Sequence, residues 1–524
     1  MKTAFKLSLA AALAITLAVG MVGCNKTNKT QTGGVTLRWV TLGPGEQADS
    51  DMVWKEFNQK LQEKMPGVDV DLQVFSKTDF EKKWKLMSAS KEVIDIAWSG
   101  WLVDYKSEAR KGAYMELDEL IDKEAPKLKE ELNAIYHEMN GSGSVFDSTK
   151  VDGKIYIVPI LQALVSEGQG LITHKDLSDR YWDLERAQTI FAKAETADNS
   201  CYDIIEEYLK NLKDNDQIKT GIDTVTFPWF YQKGYKVMPP GFVIKNVGEK
   251  DYKVYNTFET AEYKLYIEKM ADWYKKGYIR SDVISVENPR QNNGRIDGNI
   301  LWVSPTYNEF MSESETKANG FPTAVLNIWD KKDGTSSYSA YSGTSVSIPK
   351  TSKNAEKALR LIELINTKEG KELYNMLSFG LEGVHYERVN ENRIETFDDS
   401  VASALATTNS KYGMWNWVVG NTFNTYETQT NPEGWYDYVR NAYKDANKDS
   451  DLIRGFEPDL DTVKTEIAQI NTVIGEFQNS LLSGAVAAYE ESYNRFIEKL
   501  NKAGMEKVLV EVQRQFDGYL DENK

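Results

Sequence analysis

The sequence predicts an α/β fold that opens on a parallel sheet. Three features carry the prediction: a β-branched run, an amphipathic run after it, and an alternating run, with the pattern then repeated. Val35-Thr-Leu-Arg-Trp-Val-Thr-Leu42 is apolar and β-branched, and Gly43-Pro44-Gly45 ends it. Met52, Val53, Phe57, Leu61 and Met65 recur near helical spacing until Pro66-Gly67 stops the helix. Val68-Asp-Val-Asp-Leu-Gln-Val-Phe75 alternates as a strand does. Phe80, Trp84 and Met87 mark a second helix, and Val93–Trp98 a third strand. Such sheets bind ligands beyond the carboxyl ends of their strands, so the Gly43–Gln47 and Trp98-Ser-Gly-Trp101 loops stand at the rim of a site.

With 524 residues, the chain can form several domains or two large lobes. A net charge of −16 leaves no basic face for nucleic acid. The two cysteines, Cys24 and Cys201, cannot build a disulfide framework or a thiolate metal site. Cys201 opens a helical segment without a suggested histidine partner and reads as an inert thiol. The histidines, His137, His174 and His385, are far apart; His385 is either a ligand contact or a structural group. Asp214, Asp216 and Asp223 lack the glycine and closing carboxylate of a calcium loop, so no metal or other cofactor is implied. No nucleophile elbow, zinc-protease helix or phosphate loop occurs. The 79 acidic residues leave a glycosidase-type carboxylate pair open, but the repeated strand–helix units of a barrel hydrolase are not visible.

Lys2 and Lys6 precede an apolar run, Leu7–Val22, and Met21-Val22-Gly23-Cys24 closes it. Charge, short apolar run and small residue follow in the order of an export signal. The end of this segment resembles a bacterial lipobox, in which the cysteine thiol takes a diacylglyceryl group; Met21 departs from the usual leucine. A plain signal peptide with an incidental cysteine, or a single membrane anchor, are the alternatives. Residues 1–23 are then the signal and 24–34, rich in Asn, Thr, Lys and Gly, a flexible tether.

Further on, Val151-Asp-Gly-Lys-Ile-Tyr-Ile-Val-Pro-Ile160 places a turn signal between two extended pieces. This stretch, Gly294–Tyr307 and Ser342–Glu387 resemble, in order, segments of the extracellular solute-binding proteins of bacterial carbohydrate ABC importers. "GLEGVHYE" and the helical tail after Phe456 are similar to its larger oligosaccharide-binding lipoproteins. Gly294-Arg-Ile-Asp-Gly-Asn299 lacks the family's usual Ala-Met.

The resemblance implies a two-lobed periplasmic-binding-protein-like fold of type II: each lobe a mixed sheet flanked by helices, a multi-strand hinge, and a helical C-terminal extension. Lobe 1 would take residues 35–160 and 321–387, and lobe 2 residues 161–320 and 388–524, with helices from 456 to 524. "FPTAVLNIW" and "YSGTSVSIP" would both return to the first sheet. The C-terminal apolar stripes brace the lobes or, alternatively, form a free coiled-coil arm. The implied function is capture of an oligosaccharide by hinge closure and delivery to the permease subunits of an importer. The protein would act as a monomer without catalysis, held by Cys24 on the outer face of the bacterial membrane. The alternatives are a lipid-anchored glycoside-active enzyme and a non-transport carbohydrate- or peptide-binding lipoprotein.

Sugars offer apolar C–H faces to aromatic rings and hydroxyls to Asp, Asn and Arg. The candidate contacts are therefore Trp98, Trp101, Trp229, Trp302, Tyr307, Trp415, Asn416 and Trp417, with Asp95 as a hydroxyl acceptor. For Trp98 and Asp95 a core position is an equal reading. Trp415 and Trp417 share a face if their segment is extended. Trp39, Trp54, Trp84 and Trp273 lie within elements and belong to the core.

Overall fold

The structure is a computed structural model. It describes residues 34–103, 105–140, 144–164, 169–218, 221–222, 230–285, 301–304, 307, 310–328, 341–447, 453, 456 and 458–523. The signal segment, Cys24 and most of the tether lie outside the described residues. The main strands are, in order, β1 (Val35–Leu42), β2 (Val68–Phe75), β3 (Ile96–Gly100), β4 (Ile157–Leu161), β5 (Gly170–His174), β6 (Tyr235–Met238), β7 (Phe242–Lys245), β8 (Val254–Asn256), β9 (Leu301–Ser304), β10 (Thr323–Asn327) and β11 (Tyr341–Ser347).

The first sheet runs β2-β1-β3-β11-β4. β1 pairs in parallel with β2 from Val35↔Val68 to Leu42↔Phe75 and with β3 at Trp39↔Ile96, whereas β11 runs antiparallel to both β3 and β4. The outer strand β2 keeps its alternation: Val68, Val70, Leu72 and Val74 turn inward and Asp69 and Asp71 outward. Helix Ser50–Lys64 buries Val53, Phe57 and Leu61; helix Lys77–Ala89 buries Phe80, Trp84 and Met87. Ser76 caps the second helix by accepting from the Asp79 amide.

β3 begins three residues later than the sequence suggests and runs on to Gly100. Its residues are all buried, because helices cover both sheet faces and neighbours flank both edges. A strand buried on every side has no alternation to mark its register or its end.

The second lobe holds the antiparallel sheet β10-β5-β9 and the meander β6-β7-β8, the latter invisible to the sequence reading. β10 corrects one expectation. It pairs with β5 from Thr323↔His174 to Asn327↔Gly170, so "FPTAVLNIW" stays in the second lobe and only β11 returns to the first.

A second correction concerns 388–447. Tyr412, Met414, Val418, Val419, Phe423, Val439 and Tyr443 join the first core, and Tyr386, Ile394, Val401 and Tyr426 form a small cluster with Phe379. The chain returns to the second core only with Ile453 and Phe456. Short, glycine-punctuated turns join the pieces of 388–434, so no long apolar period marks where they pack.

Helices Lys464–Ser483, Tyr489–Lys502 and Met505–Asn523 bury Ile470, Phe477, Phe496, Val508 and Val512 in the second core, beside helix Ala261–Lys275. They are a brace. Gly484 ends the first of them at φ +70°, and a Cβ there would stand 2.1 Å from the Met270 carbonyl oxygen. Gly484→Ala is therefore expected to lower unfolding free energy by about 2–4 kcal/mol, from backbone strain plus the clash. Denaturant unfolding checks this, and a loss under about 1 kcal/mol would mean that the helix ends relax apart freely.

Candidate functional site

Strand direction brings the carboxyl ends of β1, β2, β3 and β4 and the amino end of β11 to one edge of the first sheet. The chain after β1 is tied there to a distant segment. The Gln47 amide donates to the Thr407 carbonyl (2.8 Å) and accepts from the Gly413 amide (3.0 Å), and the Asp49 amide donates to the Lys411 carbonyl (3.0 Å). Gly43 admits Met414 over the strand end: a Cβ at Gly43 would lie 2.6 Å from Val74 Cγ1 and 3.2 Å from Met414 Cε.

That segment delivers the tryptophan pair. Trp415 and Trp417 stack with ring centres 5.5 Å apart and planes 9° apart. The Trp415 indole donates to the Ala406 carbonyl (2.8 Å) and the Trp417 indole to the Ala404 carbonyl (3.4 Å), which fixes both rings while leaving them half-buried. They share a face, though not by strand alternation. Trp415 is extended at φ −72°, ψ 101°, and a one-turn helix, Asn416–Val419, follows. The Tyr374 hydroxyl lies 3.0 Å from the carbonyl oxygens of both Asn416 and Gly420 and holds this turn. The Asn416 side chain is half-buried and makes no hydrogen bond among the described residues.

The same stretch grips the chain where it leaves β4 for the second lobe. The Gln162 amide donates to the Trp417 carbonyl (3.3 Å), and the Ala163 amide donates to Thr422 Oγ1 (2.6 Å). The Trp435 indole donates to the Ala163 carbonyl (3.2 Å), and the Tyr443 hydroxyl to the Leu164 carbonyl (2.9 Å). From the second lobe, Phe310 meets Tyr438 edge-on at 4.9 Å and Trp435 at 6.5 Å. Tyr307 is half-buried by Ile172, Met311, Phe321 and Val325. The sequence reading missed Gln162, Phe310, Thr422 and Tyr438. A glutamine directly after the buried run Ile157–Leu161 was the one signal available.

Trp101 is the first residue past β3 and is 48% exposed. The Lys77 ammonium sits 4.6 Å from its ring centre. Beside it lies a cavity of about 640 Å³, lined by Trp84, Gly100, Tyr105, Lys106 and Gly343 among others.

The structure assigns two candidates to the frame instead. Trp98 is 0% exposed, packed edge-on against Phe80 (5.1 Å) and Trp101 (5.9 Å), because β3 continues past it. Asp95 is 2% exposed; its carboxylate accepts from the Arg38 amide (3.0 Å), the Ser352 hydroxyl (2.6 Å) and the Asn354 amide (3.3 Å), tying β1 to the chain after β11. Trp229 and the side chain of Trp302 lie outside the described residues.

His385 is buried; its Nδ1 accepts from the Leu381 amide, and its Nε2 lies 3.3 Å from Asp49 Oδ2. Burial pulls its pKa below the usual histidine value, partly offset by Asp49. Burial in the second core pushes the Cys201 thiol up to about 12, so it stays protonated at neutral pH. Asp223 is outside the described residues, and no metal-ligating group of three or more occurs among the described ones.

Two lobes, two separate cores and a clamped crossover can be set beside known proteins. A curated relative is the "Carbohydrate ABC transporter substrate-binding protein" of Streptococcus pneumoniae serotype 4 (strain ATCC BAA-334 / TIGR4). It is 26% identical over 539 aligned positions, covering 100% of both chains. The crystal structure of the N-glycan transport solute binding protein NgtS from Streptococcus pneumoniae superposes with a TM-score of 0.69 at 24% identity, covering 93% of this chain and 100% of that one. NgtS in complex with Man5GlcNAc gives 0.64 at 25% identity, covering 93% and 99%. This chain has the fold of the ABC-transporter solute-binding proteins. Within that solute-binding fold, residues 452–521 match a family model described as a domain of unknown function, DUF3502; they make up most of the C-terminal brace.

A framing role for Asp95 separates stability from binding. Asp95→Ala leaves one buried and two part-buried donors without their acceptor and is expected to cost about 2–4 kcal/mol of stability. Ligand affinity of the folded fraction should be unchanged. Denaturant melts combined with titration calorimetry check both, and an affinity loss at constant stability would return Asp95 to the cleft.

Proposed function

We propose that this protein is the substrate-binding lipoprotein of an ABC importer. It captures an oligosaccharide between its lobes, closes about the clamped crossover, and presents the closed form to membrane permease subunits. The stacked Trp415–Trp417 pair carries the reading: two fixed, half-open indoles at the carboxyl edge of the first sheet, with the unpartnered Asn416 amide between them in sequence. The rings cover each other's inner sides, so each indole has its outer side for a sugar, and burying roughly 100–120 Å² there contributes about 3 kcal/mol. Two sugars with their hydrogen bonds reach about −8 kcal/mol, a micromolar Kd. Trp101, just past β3, and Tyr307, in the second lobe, are the further aromatic candidates of this reading. The likeness to NgtS, solved with Man1GlcNAc and Man5GlcNAc, makes mannose-containing N-glycan fragments the first ligands to test.

The reading gives the chain no chemistry of its own. It also places the protein outside the cell membrane, held by two or more acyl chains at Cys24, each buried CH₂ contributing about 0.8 kcal/mol. Residues 24–34 are the slack of the leash.

Calorimetry against a panel of oligosaccharides is expected to find saturable binding with the sugar recovered intact; release of reducing ends would sink the binder reading. Trp415→Ala combined with Trp417→Ala should weaken binding about ten- to a thousand-fold with a modest loss of stability. Undiminished affinity in a less stable protein would make the pair a structural prop.

A further inference from the structure

The chain has a net charge of −16, yet the cavity beside Trp101 is lined by Lys85, Lys106 and Lys111 as well as Glu81 and Glu108. Lys85 is paired with Glu81 (2.6 Å) and Lys111 with Glu108 (3.0 Å). Lys106, in the wall, and Lys77, over the Trp101 ring, have no carboxylate partner among the described residues. The floor is bare backbone. Gly343 is held at φ +80° with nothing within 4 Å of where a Cβ would be, and Gly100 sits so close to Trp98 and the Gly343 carbonyl that no side chain fits. The result is an exposed indole, open backbone at Gly343 and, among the described residues, two ammonium groups without a carboxylate partner, just past the central strand of the sheet whose carboxyl edge also carries the Trp415–Trp417 pair.

We propose that this cavity is a subsite for an anionic sugar unit, one bearing a carboxylate or a sulfate, at the end of the captured oligosaccharide. The inference rests on the oligosaccharide reading above. The indole takes the C–H face of the sugar. The ammonium groups, compact charges with three donors each, turn to the oxygens of either anion without demanding one geometry. The diffuse negative charge of the chain does not oppose this at physiological ionic strength. Charges beyond about 8 Å are largely screened, while a direct ammonium–anion contact is weakened only gradually as salt rises. Glu81 and Glu108 in the wall are already paired with Lys85 and Lys111, which leaves Lys77 and Lys106 to take the anion.

The test uses matched pairs by titration calorimetry: lactose against 3′-sialyllactose, mannobiose against mannuronate disaccharide, and chitobiose against its 6-sulfate. At low salt, at least one acidic member should bind about 5- to 20-fold tighter than its neutral partner, and the gap should shrink as salt rises. Lys77→Met combined with Lys106→Met keeps the apolar stems; it should abolish the acidic preference and leave neutral affinity within about twofold. Neutral binding with no acidic preference in any pair overturns the subsite and leaves the oligosaccharide reading intact. A preference that survives the double substitution overturns its placement at these lysines. Absence of binding by every member overturns both.

Discussion

The structure depends on one clamp. Where the chain leaves β4 for the second lobe, backbone groups of Ala163 and Leu164 and the side chain of Gln162 are held by Trp417, Thr422, Trp435 and Tyr443. These four residues come from a stretch of the first lobe far along the chain. Four hydrogen bonds at partly buried positions, each contributing about 0.5–1.5 kcal/mol net, fix the exit direction of the crossover. In the proposed reading, the lobes turn about this clamped crossover.

The clamp and the proposed platform are one piece. Trp417 gives its carbonyl to Gln162 and its ring to the stack with Trp415. Anything that presses on the indoles is one residue's breadth from the pivot. A ligand that binds better to the closed arrangement shifts the population toward it by its differential affinity alone. The C-terminal helices, the region of the unassigned family model, pack into the second core and thicken the second lobe.

How much of this could be read from the residues alone follows from burial. Helices Ser50–Lys64 and Lys77–Ala89 and the edge strand β2 each bury one face, so their periods gave them away. β3 buries everything, so nothing in Ile-Ala-Trp-Ser-Gly told Trp98 from a rim residue. β10 and β11 are both short strands followed by an apolar residue, and which sheet each joins is a long-range choice that composition does not encode. The tryptophan pair was legible as a pair, but its geometry was not. Its shared face comes from a one-turn helix held by Tyr374, a contact between distant residues. The clamp is made of polar groups meeting backbone, which leaves no periodic trace.

The central claim is that ligand drives closure about this pivot. Small-angle X-ray scattering of the soluble body, residues 34–524, with and without a saturating oligosaccharide tests it most directly. The account predicts a smaller radius of gyration on binding, with the Trp415→Ala/Trp417→Ala protein needing about ten- to a thousand-fold more sugar for the same change. Saturable binding to the unaltered protein with an unchanged scattering curve would contradict it.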